Sequence, residues 1–423
     1  MIADISIQNG QVYRNGQFED VSVTIQGERI EDIGTPPEKA KRVIDAKGML
    51  LLPGIIDGHV HLREPGGAQK EDFTSGTEAA ARGGVTTVVD MPNNTPPIKT
   101  PERLKRKAEI AKEKSLTNFA LYAGIPERIE LVPELAETGA IGFKYYMADE
   151  EVSERDLARE IEKVNSLLTV HAEDKSFFGP PPTTPTNPAE YLQYRPPEAE
   201  LEALKSLKDL PCSNLHIAHV SLSQSVHMAG EEGWTTEVTP HHLLLAAEDV
   251  SQPDYTGITK PPIRRREEVN KLQRDFERGL IDIVASDHAP HKAEEKLTCD
   301  PCLGCAGISG IETTVPLLLS YAREEKIPLG KVIDRMTKRP ANLFGFPNRG
   351  EIEEGNWADL TLVDPGTAQR VTGEGFFSKA KITPFEGFKL RYWPVVTIVN
   401  GVIVFDRGEI SSSPAGRFLG GNK

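Results

Sequence analysis

The segment DGHVHLREPG, from Asp57 to Gly66, sets His59, His61 and Arg63 at every second position. In an extended strand, side chains two apart share a face. Two imidazoles and a guanidinium would then stand together just before a turn at Pro65-Gly66-Gly67. An imidazole pair suits a metal, and a fixed guanidinium suits an anion.

Related chemistry recurs downstream. Lys144 lies in GFKYYM, His171 in TVHAED, His219 in HIAHVS and Asp287 in SDHAPH. Singly, each has an ordinary reading. A lone histidine in a half-buried strand is usually a hydrogen-bonded core residue, and a lone aspartate at a strand end usually caps a turn. Lysine is harder to dismiss, because an unpaired ammonium in the interior is costly.

The elements around these residues give them a common address. Apolar, strand-like runs occur at 55–61, 85–90, 118–123, 141–146, 167–172, 214–220, 234–239 and 281–287. Amphipathic stretches separate them. One is PERLKRKAEIAKEK, with Thr100 as N-cap and Pro101 at the first helical position. Strands alternating with helices in this way predict an α/β fold, an eight-stranded parallel (β/α) barrel. The C-terminal ends of barrel strands form the active face, so four histidines, Asp287 and Lys144 converge on one mouth. Jointly they predict a metal site. Imidazole and carboxylate suit zinc, with iron, manganese or cobalt as alternatives. Lys144 as an ammonium would repel such cations. An amine that has added carbon dioxide is a carbamate, an anion able to bridge two of them.

Both ends of the chain read as β-structure. ISIQNGQVY, VSVTIQGERI and RVIDAKGMLLL open it; ADLTLVDP and VVTIVNGVIVFDRGEI close it, with Asn400-Gly401 as a hairpin signal. These runs predict a small β-sandwich domain formed by residues 1–52 and 351–423, beside a barrel of residues 53–350.

Composition narrows the function. The chain has 423 residues, 38% hydrophobic and 26% charged, which is ordinary for a soluble globular protein. A net charge of −14 leaves no basic footprint for nucleic acid. Arg264-Arg265-Arg266 is the one dense basic cluster and reads as a solvated helix start. The opening residues alternate like a strand and not like a signal peptide, and no apolar run approaches the ~20 residues that span a bilayer. Four cysteines argue against a disulfide framework. The expectation is a cytoplasmic protein acting on a small molecule, with no nucleic-acid or membrane partner.

DGHVHLREPG, MPNNTPP, GFKYYM, TVHAED, HIAHVS, EVTPHHLLL and SDHAPH together resemble the cyclic amidohydrolases, and within them the dihydroorotases. The resemblance covers nearly the whole chain. It implies two zinc ions, one bound by His59, His61 and Asp287 and the other by His171 and His219. Carboxylated Lys144 and a hydroxide would bridge them. It further implies that Arg63, Asn93 and His291 bind a substrate carboxylate, and that Asp287 moves the proton. The implied reaction is the reversible ring closure of N-carbamoyl-L-aspartate to L-dihydroorotate, in pyrimidine biosynthesis. A homo-oligomer and an association with aspartate transcarbamoylase are left open.

Some features fit less simply. Some dihydroorotases carry aspartate at the bridging position, whereas lysine is shared with other dihydroorotases and with hydantoinases and allantoinases. Lys260 stands where many bacterial relatives have a substrate-binding asparagine, and reads equally as a surface residue or an extra anion contact. His241 and His242 match no ligand position and read as orienting groups, and His216 reads as structural. Cys299, Cys302 and Cys305 have C-x2-C-x2-C spacing but lack a fourth metal ligand nearby, so KAEEKLTCDPCLGC reads as a substrate lid. Allantoinase or dihydropyrimidinase is the competing activity, and Arg63 with DHAPH argues against both. A non-catalytic scaffold is the competing class; such relatives lose ligands, and this chain keeps the set.

Overall fold

The run Ile55–Val60 is buried at every position, as expected of a strand covered on both faces. The computed structural model describes residues 2–150, 153–182, 188–250, 255–298 and 305–420. Eight parallel strands follow in chain order: β1 (Ile55–Val60), β2 (Val85–Asp90), β3 (Asn118–Gly124), β4 (Ala140–Tyr146), β5 (Leu167–His171), β6 (Leu215–Ile217), β7 (Thr235–Val238) and β8 (Ile283–Val284). The circle is closed by a parallel bridge between Val60 and His288, where the His61 amide donates to the His288 carbonyl at 2.8 Å. The expected α/β barrel is present and nearly closed.

The helices are set by local chemistry. α1 (Phe73–Arg82) starts at Asp72, whose side chain accepts from the Ser75 amide in a capping box. α2 (Pro101–Lys114) has the expected Thr100 cap and leading Pro101, and turns Leu104, Lys107, Ala108 and Ala111 inward. Strands β6 and β8 are shorter than their apolar runs. His219 and Asp287 take left-handed backbone angles, with φ of 36° and 45°. Both residues lie just beyond the ends of these strands. Arg264 corrects the reading of the basic cluster. It is buried and paired to Glu200 at 3.2 Å, and its Nε donates to Ser221 Oγ.

The termini form two sheets. Four strands from the first 45 residues face a seven-stranded sheet in which Leu50–Pro53 pairs antiparallel with Leu360–Asp364. Ile5, Val23 and Ile44 of one sheet pack with Leu51, Leu362 and Val396 of the other. The hairpin lies where the sequence placed it, with Asn400 and Gly401 at φ of 48° and 77°.

A buried polar network fastens these sheets to the N-terminal end of the barrel. Asp359 pairs with Arg349, accepts from Asn118 Nδ2 at 3.0 Å, and accepts from the Asn400 amide at 2.7 Å. Arg349 also donates to Asn400 Oδ1 at 3.0 Å. Removing one member strands a buried charge. Asp359→Ala is therefore expected to cost about 3–5 kcal/mol in chemical denaturation. Glu267→Ala, which strips only an exposed helix-surface pair with Lys271, should leave the midpoint nearly unchanged.

Candidate active site

The C-terminal ends of the strands surround a cavity of about 200 Å³ lined by His59, His61, Arg63, Asn93, His171, His219, Asp287 and His291, with Tyr146, Arg195 and Lys260 beside them. Asp287 Oδ1 lies 3.3 Å from His59 Nε2 and 3.1 Å from His61 Nε2. Ligand atoms of these three residues lie within 4.8 Å of one another. The His171 and His219 rings meet edge to face at 4.5 Å, and His219 is 5.2 Å from His59. All four imidazoles therefore form one group.

Three of them have an outer nitrogen already committed. His59 Nδ1 meets Glu237 Oε1 at 2.5 Å, His61 Nδ1 meets Asn93 Oδ1 at 2.7 Å, and His171 Nε2 meets Glu173 Oε2 at 2.7 Å. A neutral imidazole that donates outward keeps a lone pair inward. Burial supports the neutral form. It pushes His61 down to about 4 despite the neighbouring Asp287 carboxylate, and holds His219 well below its ordinary range. Asp287 runs the other way. Burial alone would raise its carboxyl, but His59 and His61 hold it far below the usual range. Three imidazoles offering lone pairs and one ionised carboxylate are a donor set that fits divalent metal.

Lys144 completes the group. It sits on β4, fully buried, and its Nζ has no hydrogen-bond partner among the described residues. Burial pushes its amine down to about 8, against the pull of Glu237 and Asp287. A neutral amine is the form that adds carbon dioxide. His219 Nδ1 is likewise buried without a partner. Such orphaned polar atoms are rare in folded proteins and mark a missing ligand.

The anion-binding side lies next to it. Arg63 has φ of 62°, and its buried Nε is unpartnered. Its Nη2 donates to His291 Nε2 at 3.3 Å, while Lys70 Nζ lies 3.2 Å from His291 Nδ1. Burial, then Arg63 and two lysines, keeps His291 far below its ordinary range. Asn93 is exposed to the cavity mouth; with its oxygen turned to His61, its NH2 group is left for another acceptor.

Several groups were missed from sequence. Glu237, in WTTEVTP, holds His59 and also accepts from the His219 amide at 3.2 Å. His216 contacts its other oxygen at 3.3 Å, so a residue read as structural braces the site indirectly. Glu173, in TVHAED, is gripped by Arg195 at 2.6 Å. Tyr146, two residues after Lys144, brings a buried, unpartnered hydroxyl into the cavity. A carboxylate inside an apolar strand run was the available signal for Glu237. His242 binds the Pro261 carbonyl at 3.1 Å, beside Lys260, while His241 Nε2 is buried without a partner. Cys212 is free and Cys305 is disulfide-bonded. Cys299, Cys302 and the tip of the expected lid lie outside the described residues. Among those described, no helix is long and apolar enough to cross a membrane.

Glu237 orients His59 and touches the His219 backbone, so it controls two candidate ligands at once. Glu237→Gln is expected to weaken metal binding by about 10–100-fold, read by competition with a chelator. Unchanged affinity would show that the imidazoles hold their orientation without it.

Comparison with known proteins agrees with this geometry. The family model described as "Amidohydrolase family" matches residues 50–192 and 197–404. The chain is 35% identical to a dihydroorotase of Methanosarcina acetivorans, across 99% of this chain and 96% of that protein. It is also 35% identical to an allantoinase of Rubrobacter xylanophilus, across 98% and 97%. Among solved structures, an L-hydantoinase (dihydropyrimidinase) from Arthrobacter aurescens superposes with a TM-score of 0.90 at 28% identity, covering 99% of this chain and all of the other. With the barrel, the histidine–aspartate cluster and this full-length similarity in agreement, the chain belongs to the amidohydrolase family.

Proposed function

We propose that this amidohydrolase catalyses the dihydroorotase reaction, the reversible cyclisation of N-carbamoyl-L-aspartate to L-dihydroorotate. One observation carries the choice of substrate. A half-buried arginine, Arg63, whose Nε is buried and unpartnered, shares its cavity with the metal-ligand cluster. A cyclic amide bearing a carboxylate satisfies both halves of that cavity. Allantoin, hydantoin and dihydrouracil have no carboxylate, and would leave the buried Nε of Arg63 without an acceptor.

In this reading Arg63, Asn93 and His291 hold the substrate carboxylate and fix the ring against the cluster. Arg63 supplies directional charge. His291, neutral beside two cations, serves as a dipolar contact and not as a second cation. His59, His61 and Asp287 would hold one zinc ion and His171 and His219 the other, with Lys144 as a carbamate between them. Bound divalent metals supply an acidified water and a polarised carbonyl. In ring opening, Asp287 accepts the proton of the attacking water and delivers it to the leaving amide nitrogen. In closure it gives that proton back. General acid–base transfer of this kind contributes ~10²–10⁴-fold. The same reading places the enzyme in the cytoplasm. It divides the chain into a β domain of residues 1–52 and 351–423 and a barrel of residues 53–350.

Three outcomes test the proposal. Arg63→Met should lower kcat/KM for N-carbamoyl-L-aspartate by about 10²-fold or more, the scale of a lost buried charge-assisted contact, with metal content unchanged. Metal loss with normal handling of substrate after reloading would make Arg63 structural. Asp287, held ionised by its histidine neighbours, accepts the proton in ring opening and must carry one into closure, so closure should slow as pH rises while opening should not. Parallel profiles would remove Asp287 from proton transfer. Lys144→Ala should lose metal and turnover together, and a short carboxylic acid should restore part of both by standing in for the carbamate. Full metal loading in Lys144→Ala would refute the bridge.

A further inference from the structure

Lys107 occupies a core position. α2 turns Leu104, Ala108 and Ala111 toward the barrel, and Lys107 falls on the same face, fully buried. Three oxygens surround its Nζ: Asp90 Oδ2 at 2.7 Å, the Met91 carbonyl at 2.7 Å and Asn94 Oδ1 at 2.8 Å. Its ammonium donates to the Met91 carbonyl and to Asn94 Oδ1, and Asp90 supplies the counter-charge.

Those oxygens belong to the segments that carry the anion-binding residues. Asp90 ends β2, and its other oxygen accepts from the Leu62 amide at 2.8 Å, immediately before Arg63. Met91 and Asn94 flank Pro92-Asn93. The two loops also touch directly. Asn94 Nδ2 donates to the Pro65 carbonyl at 3.3 Å. Gly66 has φ of 93°, and a Cβ there would overlap the Thr95 carbonyl. Arg63 is itself in the left-handed region, a conformation that persists only when its surroundings over-determine it. The bond from Asp90 to Leu62 is one of those determinants, and Lys107 fixes Asp90.

We propose that Lys107 is a positioning residue for substrate recognition: from behind the barrel wall it sets the separation of Arg63 and Asn93, and so the fit of the substrate carboxylate. The proposal rests on the carboxylate-binding role of Arg63 and Asn93. Lys107 never touches substrate. It acts through Asp90 on one loop and through Met91 and Asn94 on the other. A residue serving stability alone would lower the unfolding midpoint and leave recognition intact. A positioning residue changes KM, because the two donors must be correctly spaced in the ground state as well as the transition state.

Lys107→Met keeps the stem and removes the charge. The expected result is a KM for N-carbamoyl-L-aspartate raised by about tenfold to about a hundredfold, with kcat changed by no more than about threefold and metal content intact. A lowered midpoint with KM unchanged, or loss of metal, would overturn the proposal. Asp90→Asn combined with Lys107→Met leaves no unpaired buried charge and keeps an oxygen for the Leu62 amide. It gives the same readout if the single variant fails to fold. Arg63→Met, measured alongside, separates this proposal from the reading beneath it. If Arg63→Met raises KM and neither Lys107 variant does, only the positioning role falls. If Arg63→Met leaves KM unchanged, the carboxylate assignment falls and the positioning role with it.

Discussion

Crowding lone pairs into a dry space is the constraint on which this structure turns. Four imidazoles, an amine and a carboxylate share the barrel mouth, and all are buried. Were the rings protonated, the cluster would repel both itself and any metal. Each ring must stay neutral and face inward with the correct nitrogen. Desolvation secures the first condition at His61, His171 and His219, and outer partners secure the second at His59, His61 and His171. Glu237, Asn93 and Glu173 each take one imidazole nitrogen. Arg195 in turn neutralises Glu173, so the carboxylate behind His171 is not left as an uncompensated buried charge.

The same economy recurs one layer further out. Glu237 is braced by His216, Asp90 by Lys107 and Glu200 by Arg264. None of these bracing groups reaches solvent. The barrel wall therefore contains buried polar contacts, two of them ion pairs, behind the candidate ligands. Four of the unpartnered buried atoms stand at the site: Lys144 Nζ, His219 Nδ1, Arg63 Nε and the Tyr146 hydroxyl. Those four have bonding capacity left for a ligand.

Backbone strain is present at the site too. Arg63, His219 and Asp287 all adopt left-handed angles, and all line the cavity. Each follows a barrel strand by only a few residues, where an extended continuation would carry the side chain past the mouth. Bending back costs of order 1–3 kcal/mol per residue. The ladder and the buried networks supply the compensation.

Much of this was legible in the sequence, because it rests on local rules. Two-residue spacing put His59 and His61 together, and apolar periodicity located all eight strands, whereas Arg63 lies beyond the strand end with a left-handed backbone. Thr100 and Pro101 fixed the start of α2, and Asn400-Gly401 fixed a hairpin. Local rules do not report which distant groups meet. Lys107 is one of several lysines in an amphipathic helix until folding sets it against Asp90. Arg264 belongs to a basic triplet until Glu200 draws it inside. Glu237 looks like a polar strand residue until His59, 178 positions earlier, turns its ring toward it. Residue type and spacing determined which chemistry was available and on which strand. Pairing between charges far apart in the chain, decided by burial and by the need to satisfy every desolvated group, came only with the tertiary structure.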